Sequence, residues 1–224
     1  MLRTRPTRCR PWGHALLLFA LAGLAGAVQA QATSLLSLNA QLLVGARQND
    51  LALVDRMLAH GAAPNARNRL GKTALLMAAE KGNMQLAQRL FEAGADVNLA
   101  SLEGVTPLMA ACYGGYADLV RQLLGKGART EPLDRMRKPA IIYAAGQGHA
   151  DAVDALLDAG VDVNGVYENQ LSALMWAAGQ GQAQVVQRLL QRGARRDARD
   201  NRGLSALDMA RREGHLAVVA LLGP

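Results

Sequence analysis

Apolar and small positions recur along this chain with a fixed step of 33 residues. Leu75, Leu108, Ile141, Leu174 and Leu207 hold one such position, and Leu90, Leu123, Leu156, Leu189 and Leu222 hold another. Ala78, Ala111, Ala144, Ala177 and Ala210 hold a small one between them. Two glycine series keep the same step, Gly61 to Gly193 and Gly82 to Gly214. Self-similarity at a fixed period is the mark of a repeat architecture. Within one unit the pattern predicts a short first helix from Ala74 to Lys81, a break at Gly82, and a second helix from Met84 to Glu92 closed by Gly94. Leu75, Ala78 and Ala79 form the apolar stripe of the first helix, and Leu86, Leu90 and Phe91 that of the second. A helix pair with single stripes cannot bury its faces alone, so neighbouring units must stack.

The segments between the helices carry their own signals. Thr106-Pro107-Leu108-Met109 places a hydroxyl where it caps a helix and a proline in the first turn, where its missing N–H costs nothing. Thr73, Ser172 and Ser205 occupy the same cap position. Five residues earlier, Asn68, Ser101, Asp134 and Asp200 suit a turn in which a short polar side chain bonds the backbone.

These motifs carry a resemblance. Gly94-Ala95-Asp96-Val97-Asn98, Gly160-Val161-Asp162-Val163-Asn164, Glu103-Gly104-Val105-Thr106-Pro107-Leu108-Met109-Ala110-Ala111 and Gly214-His215-Leu216-Ala217-Val218-Val219-Ala220-Leu221-Leu222 are similar to the ankyrin repeat. The resemblance covers about residues 37–224. It implies an all-α solenoid of stacked helix-turn-helix units joined by β-hairpin-like loops, with units at about 37–68, 69–101, 102–134, 135–167, 168–200 and 201–224. The first unit is degenerate, and the last serves as the carboxy-terminal cap.

Two departures from the family pattern stand out. The usual His of the first helix is replaced by Leu76, Met109, Ile142, Met175 and Asp208, so its hydrogen bonds between repeats are expected to be absent and rigidity lower there. Arg137 and Gln170 stand where Gly71, Gly104 and Gly203 give a tight turn, which calls the third and fourth hairpins into question.

The resemblance also implies function: a noncatalytic protein-binding module, without cofactor or metal, that uses hairpin tips and first helices. Carried over position by position, the candidate contacts begin with Leu70, Lys72 and Lys81. Leu102, Glu103 and Tyr113 follow in the next unit, and Leu133, Met136 and Lys138 in the one after. Leu171, Arg199 and Arg202 complete the set. Leu70, Leu102, Leu133, Met136, Val166 and Leu171 are apolar residues expected on exposed tips, a surface that marks a protein partner. Tyr143 and Trp176 read as packing rather than as a ligand cage.

Composition and charge add an address. The chain has 224 residues, 50% hydrophobic and 19% charged, enough for a core, while 4% aromatic content favours small, closely approaching helices. Arg3, Arg5, Arg8 and Arg10 precede an apolar run from Ala15 to Val28, and Val28-Gln29-Ala30 supplies small residues before a break between Ala30 and Gln31. That is the plan of a secretory signal peptide over residues 1–30, ahead of a repeat domain over 31–224. It predicts export to a periplasm, with secretion as an effector that binds a host protein, or anchoring as a membrane scaffold through an uncleaved signal, as the alternatives. The apolar run is shorter than a spanning helix, so no stable membrane insertion is expected after cleavage. Without the segment, 21 basic residues face 18 acidic ones, and the formal charge of +7 falls to +3. Nucleic acid is therefore not the expected partner; another protein is, bound by a monomer.

Other chemistry reads as weak. Of Asp151, Asp154, Asp158 and Asp162, three fall at outward positions of a second helix, which suits a solvated face, and too few oxygens converge there for calcium. Arg188 to Arg212 is a basic stretch with interleaved acids. His149 and His215 are expected to bond backbone rather than metal, and Cys112 to be buried and inert.

Overall fold

The computed structural model describes residues 37–223. The expected signal segment, with its cleavage site at Ala30 and Gln31, lies outside the described residues.

Twelve helices pair into six units among the described residues. They are α1 (37–48) with α2 (Leu51–Ala59), α3 (Ala74–Glu80) with α4 (Met84–Glu92), α5 (Pro107–Gly114) with α6 (Ala117–Gly125), α7 (Ala140–Gln147) with α8 (Ala150–Asp158), α9 (Ala173–Gly179) with α10 (Ala183–Gln191), and α11 (Ala206–Arg212) with α12 (Leu216–Leu222). The expected helix pair at 74–92 is found with only Lys81 shifted, from last helical residue to cap. Caps explain the sharp starts. Thr73, Thr106, Ser172 and Ser205 each accept the N–H three residues on, from Leu76, Met109, Met175 and Asp208.

The core is continuous along the stack. Ala78, Ala111, Ala144, Ala177 and Ala210 are wholly buried, and Leu75, Leu108, Ile141 and Leu174 nearly so. Leu207 is only partly buried, because its unit is the last described and has a neighbour on one side. Four of the five residues in place of the family's His also join the core, Leu76, Met109, Ile142 and Met175 being at most 2% exposed, while Asp208 instead accepts the Ser205 N–H in a capping box. In those four the missing imidazole is thus replaced by close packing between repeats rather than by a gap.

Polar ties between repeats come from elsewhere. Asn98 accepts the Arg129 N–H at 2.8 Å and donates to the Gly127 carbonyl at 3.1 Å, and Asn164 repeats both contacts at Arg195 and Gly193. His149 Nε2–H donates to the Tyr113 carbonyl at 3.0 Å and His215 Nε2–H to that of Gly179 at 3.1 Å, as expected. Gln182 does the same at Gly146.

The first helices pack on one another more closely than the second helices do, which curves the stack. The first helices line the concave side, together with the hairpins that precede them.

The hairpins at Arg137 and Gln170 keep the frame that the sequence called into question. Asp134 N–H donates to Lys138 O and Tyr167 N–H to Leu171 O, matching Asn68 to Lys72 and Ser101 to Val105. Arg137 alone is left-handed in the third hairpin, at φ 57°, while the fourth departs from the others as the sequence suggested, with both Asn169 and Gln170 left-handed, at φ 59° and 61°, in a 3-10 turn over Glu168–Gln170. What changes at the third hairpin is the backbone bond to the next one. A Cβ on Gly71 would lie 2.9 Å from Leu102 N, and one on Gly104 3.0 Å from the Asp134 Cα. Across these close approaches Leu102 N–H donates to Leu70 O and Arg135 N–H to Glu103 O. At the third hairpin the matching bond from Glu168 N–H to Met136 O is missing among the described residues, whereas Asn201 N–H keeps its bond to Asn169 O at 3.1 Å across Gln170, so a Cβ at this position does not by itself exclude the bond. The Arg137 side chain spans the step instead, its Nε 2.7 Å from Glu168 Oε2.

Candidate interaction face

Each hairpin is wired before it offers anything to a partner. Arg67 Nε donates to Gly71 O at 3.0 Å, and Arg199 donates to Gly203 O at 2.7 Å, so both arginines brace their own turns. Arg199 also lies 3.5 Å from Asp208, whose carboxyl is held below the usual range by the Ser205 hydroxyl and N–H. Arg202 pairs with Asp200 at 2.8 Å. Burial works against ionisation of Asp200, but the Leu204 N–H and the Arg202 guanidinium and N–H outweigh it and hold its pKa low. Lys72 binds Glu80 at 2.6 Å, Lys81 donates to the Arg47 carbonyl, and Arg135 reaches Glu103 at 3.2 Å. Lys72, Lys81, Glu103, Arg199 and Arg202 are therefore structural members of hairpin and helix networks as well as surface charges.

The apolar candidates divide. Leu102, Met136 and Leu70 are 73%, 65% and 61% exposed at the tips, and Val166, Tyr113 and Leu133 are exposed too. Leu171 is not: it folds back against the core, as do Val105 and Leu204 at the same repeat position. It lines a cavity instead of presenting a tip.

Tyr143 and Trp176 pack against the core, as expected, and make polar contacts besides. Both are half-buried, one repeat apart on the concave side. Tyr113 and Tyr143 meet edge to face at 5.9 Å between ring centres. Tyr143 donates its hydroxyl to the buried Asp134 carboxylate, and burial followed by that bond pushes its pKa well above the usual phenol range. Lys138 Nζ stands 4.3 Å from the centre of the Trp176 ring, a cation–π contact. Beyond Trp176 a cavity of about 560 Å³ opens between α9 and α11, lined among others by Leu171, Trp176, Leu204, Met209, Arg212 and Glu213. The 33-residue step through Met77, Ala110, Tyr143, Trp176 and Met209 was the signal for this row, since it places all five on one face.

The acidic run is likewise more than a solvated face. Asp154 is 18% exposed and takes Arg188 at 2.5 Å, with Arg192 at 3.7 Å. Arg192 also binds Asp158 at 2.6 Å. Two residues of the basic stretch are thus spent on α8 from the next outer helix. Cys112 is fully buried, and burial pushes its thiol far up from the ordinary range. No helix of the described residues is long and apolar enough to cross a membrane.

No curated protein matches the chain. A family model described as ankyrin repeats (3 copies) matches residues 42–134 and again residues 141–223. Ankyrin repeats serve as protein–protein interaction modules, and this chain belongs to the ankyrin-repeat family.

Proposed function

We propose that the protein is a noncatalytic binding module, exported to a periplasm, that holds a partner protein against its hairpin tips and first helices. The observation that carries the binding face is the line of large apolar side chains left bare on successive tips, Leu70, Leu102 and Met136, beside the half-buried aromatic row of the concave side. Apolar side chains in this arrangement are what a partner desolvates. The address rests on the basic start, the short apolar run and the small residues before Gln31.

In-cell crosslinking of the tagged full-length protein, with mass spectrometry of its amino terminus and of its neighbours, tests both parts. A start at Gln31 and one recurrent periplasmic partner crosslinked near Leu102 and Met136 are expected. A retained amino terminus or cytoplasmic neighbours would overturn the address. Crosslinks confined to the second helices would overturn the face, as would binding unchanged by polar replacement of Leu102 and Met136.

A further inference from the structure

Charge is divided between the two sides of the stack. The hairpins and first helices, taken as residues 37–48, 66–81, 99–114, 132–147, 165–180 and 198–213, carry twelve Lys and Arg against seven Asp and Glu, a net +5. The second helices and outer turns, the rest of residues 37–223, carry nine against eleven, a net −2. The concave side is therefore a positive surface on a chain whose described part is only weakly charged. On that side, Lys72, Arg135, Arg137, Arg199 and Arg202 each have a carboxylate, and the other seven cations make no ion pair among the described residues; of these seven, Lys138 lies against Trp176 and Arg212 lines the cavity beside it.

The same side has an unfilled place. Glu80, Tyr113 and Arg212 occupy one position of their first helices, and α7 and α9 put Gly146 and Gly179 there. A Cβ on Gly146 would lie 3.9 Å from Trp176 and one on Gly179 3.9 Å from Met209, ordinary contact distances. Packing of the repeats does not demand glycine at either site. Its effect is to leave Trp176 open beside the 560 Å³ cavity, which has an apolar wall of Leu171, Leu204 and Met209 and has Arg212 at its edge. Glu213 is the one unpaired carboxylate on that lining among the described residues.

Resting on the concave-face reading above, we propose that the partner is recognised through an acidic segment that sets one large apolar side chain in the Trp176 cavity and its carboxylates on Lys138 and Arg212. The occupant follows from charge complementarity. A basic segment would meet the net +5, and an apolar segment without acids would leave Lys138 and Arg212 to be desolvated without counter-charge. The apolar anchor supplies the buried contact and the carboxylates supply register.

The test uses the full chain with Trp12→Phe, so that Trp176 is the only tryptophan. The probe is a nonapeptide of eight glutamates around a central leucine, titrated at low salt by Trp176 emission and by calorimetry. Saturable binding is expected, weakened at least tenfold when the leucine becomes glycine. A similar loss is expected in Lys138→Glu and in Arg212→Glu. Arg212 is exposed, so its reversal leaves the fold intact, and circular dichroism confirms that for both variants. The proposal fails if the matching lysine peptide binds as well, if neither reversal weakens binding, if no binding is seen at millimolar peptide, or if phosphatidylglycerol vesicles bind in its place. A native partner crosslinked to the concave face through a segment without acidic residues would overturn this inference and leave the protein-binding reading standing.

Discussion

Cys112 occupies the position that Ala79, Ala145 and Ala178 hold in neighbouring first helices, so a thiol fills a site built for a methyl group. Buried there, it keeps its proton at pH values where an exposed thiol, with a pKa of about 8.5, loses it. The unfolded chain then binds fewer protons than the native one above that pH. The thiol's share of stability is whole below pH about 8.5 and declines as pH rises beyond it. Urea unfolding at pH 7.5 and 9.5 should show the wild-type protein losing about 1 kcal/mol more than Cys112→Ala over this interval. Equal losses would mean that the thiol ionises in the folded state. Burial of Cys112 was legible from its place in the repeat. The inward setting of Leu171 was legible only through the register, since Lys72, Val105, Lys138 and Leu204 hold the same repeat position and are half-buried with it, whereas the bare tips lie at other positions.

Between elements, the contact of α8 with α10 combines an apolar core with an ionic clamp. Asp154 faces Arg188 and Arg192 from the adjacent helix and is mostly withdrawn from water, whereas Arg188 is 42% exposed. Solvent screening at the arginine limits the gain to about 1 kcal/mol. A double-mutant cycle on Asp154→Ala and Arg188→Ala should return a coupling of that order by thermal or urea unfolding, and 1 M NaCl should halve it or more. A coupling near zero would make the clamp ornamental. Reading the sequence by helix assigned these aspartates to solvent, because the second helix was considered without the arginines that stacking brings opposite it, 34 and 38 residues downstream. The third hairpin shows the converse. Arg137 in a glycine position raised doubt about the turn, yet the turn persists and the link to the following hairpin alters instead.

For the whole molecule, stability is expected to vary along the stack, since each unit touches only its neighbours. The inner helices α3, α5, α7, α9 and α11 form a continuous packed row, while the outer helices α2 and α4 meet less extensively than α6 and α8 do. Hydrogen exchange followed by peptide mass spectrometry should therefore find α2 and α4 losing protection well before α5 and α7. Uniform exchange across the six units would indicate a single cooperative block. The 33-residue period, the caps and the small-residue stripes determined by themselves that the chain is an all-α stack, since each is a local rule that every unit repeats. The interaction face was legible only as a set of variable positions. Which of them are bare and which are wired into hairpins was decided by tertiary structure, as were the counter-charge each arginine finds and the opening of Trp176 beside Gly146 and Gly179. The physical reason is that these depend on distances between side chains one repeat apart, set by stacking and curvature rather than by any residue's neighbours in the chain.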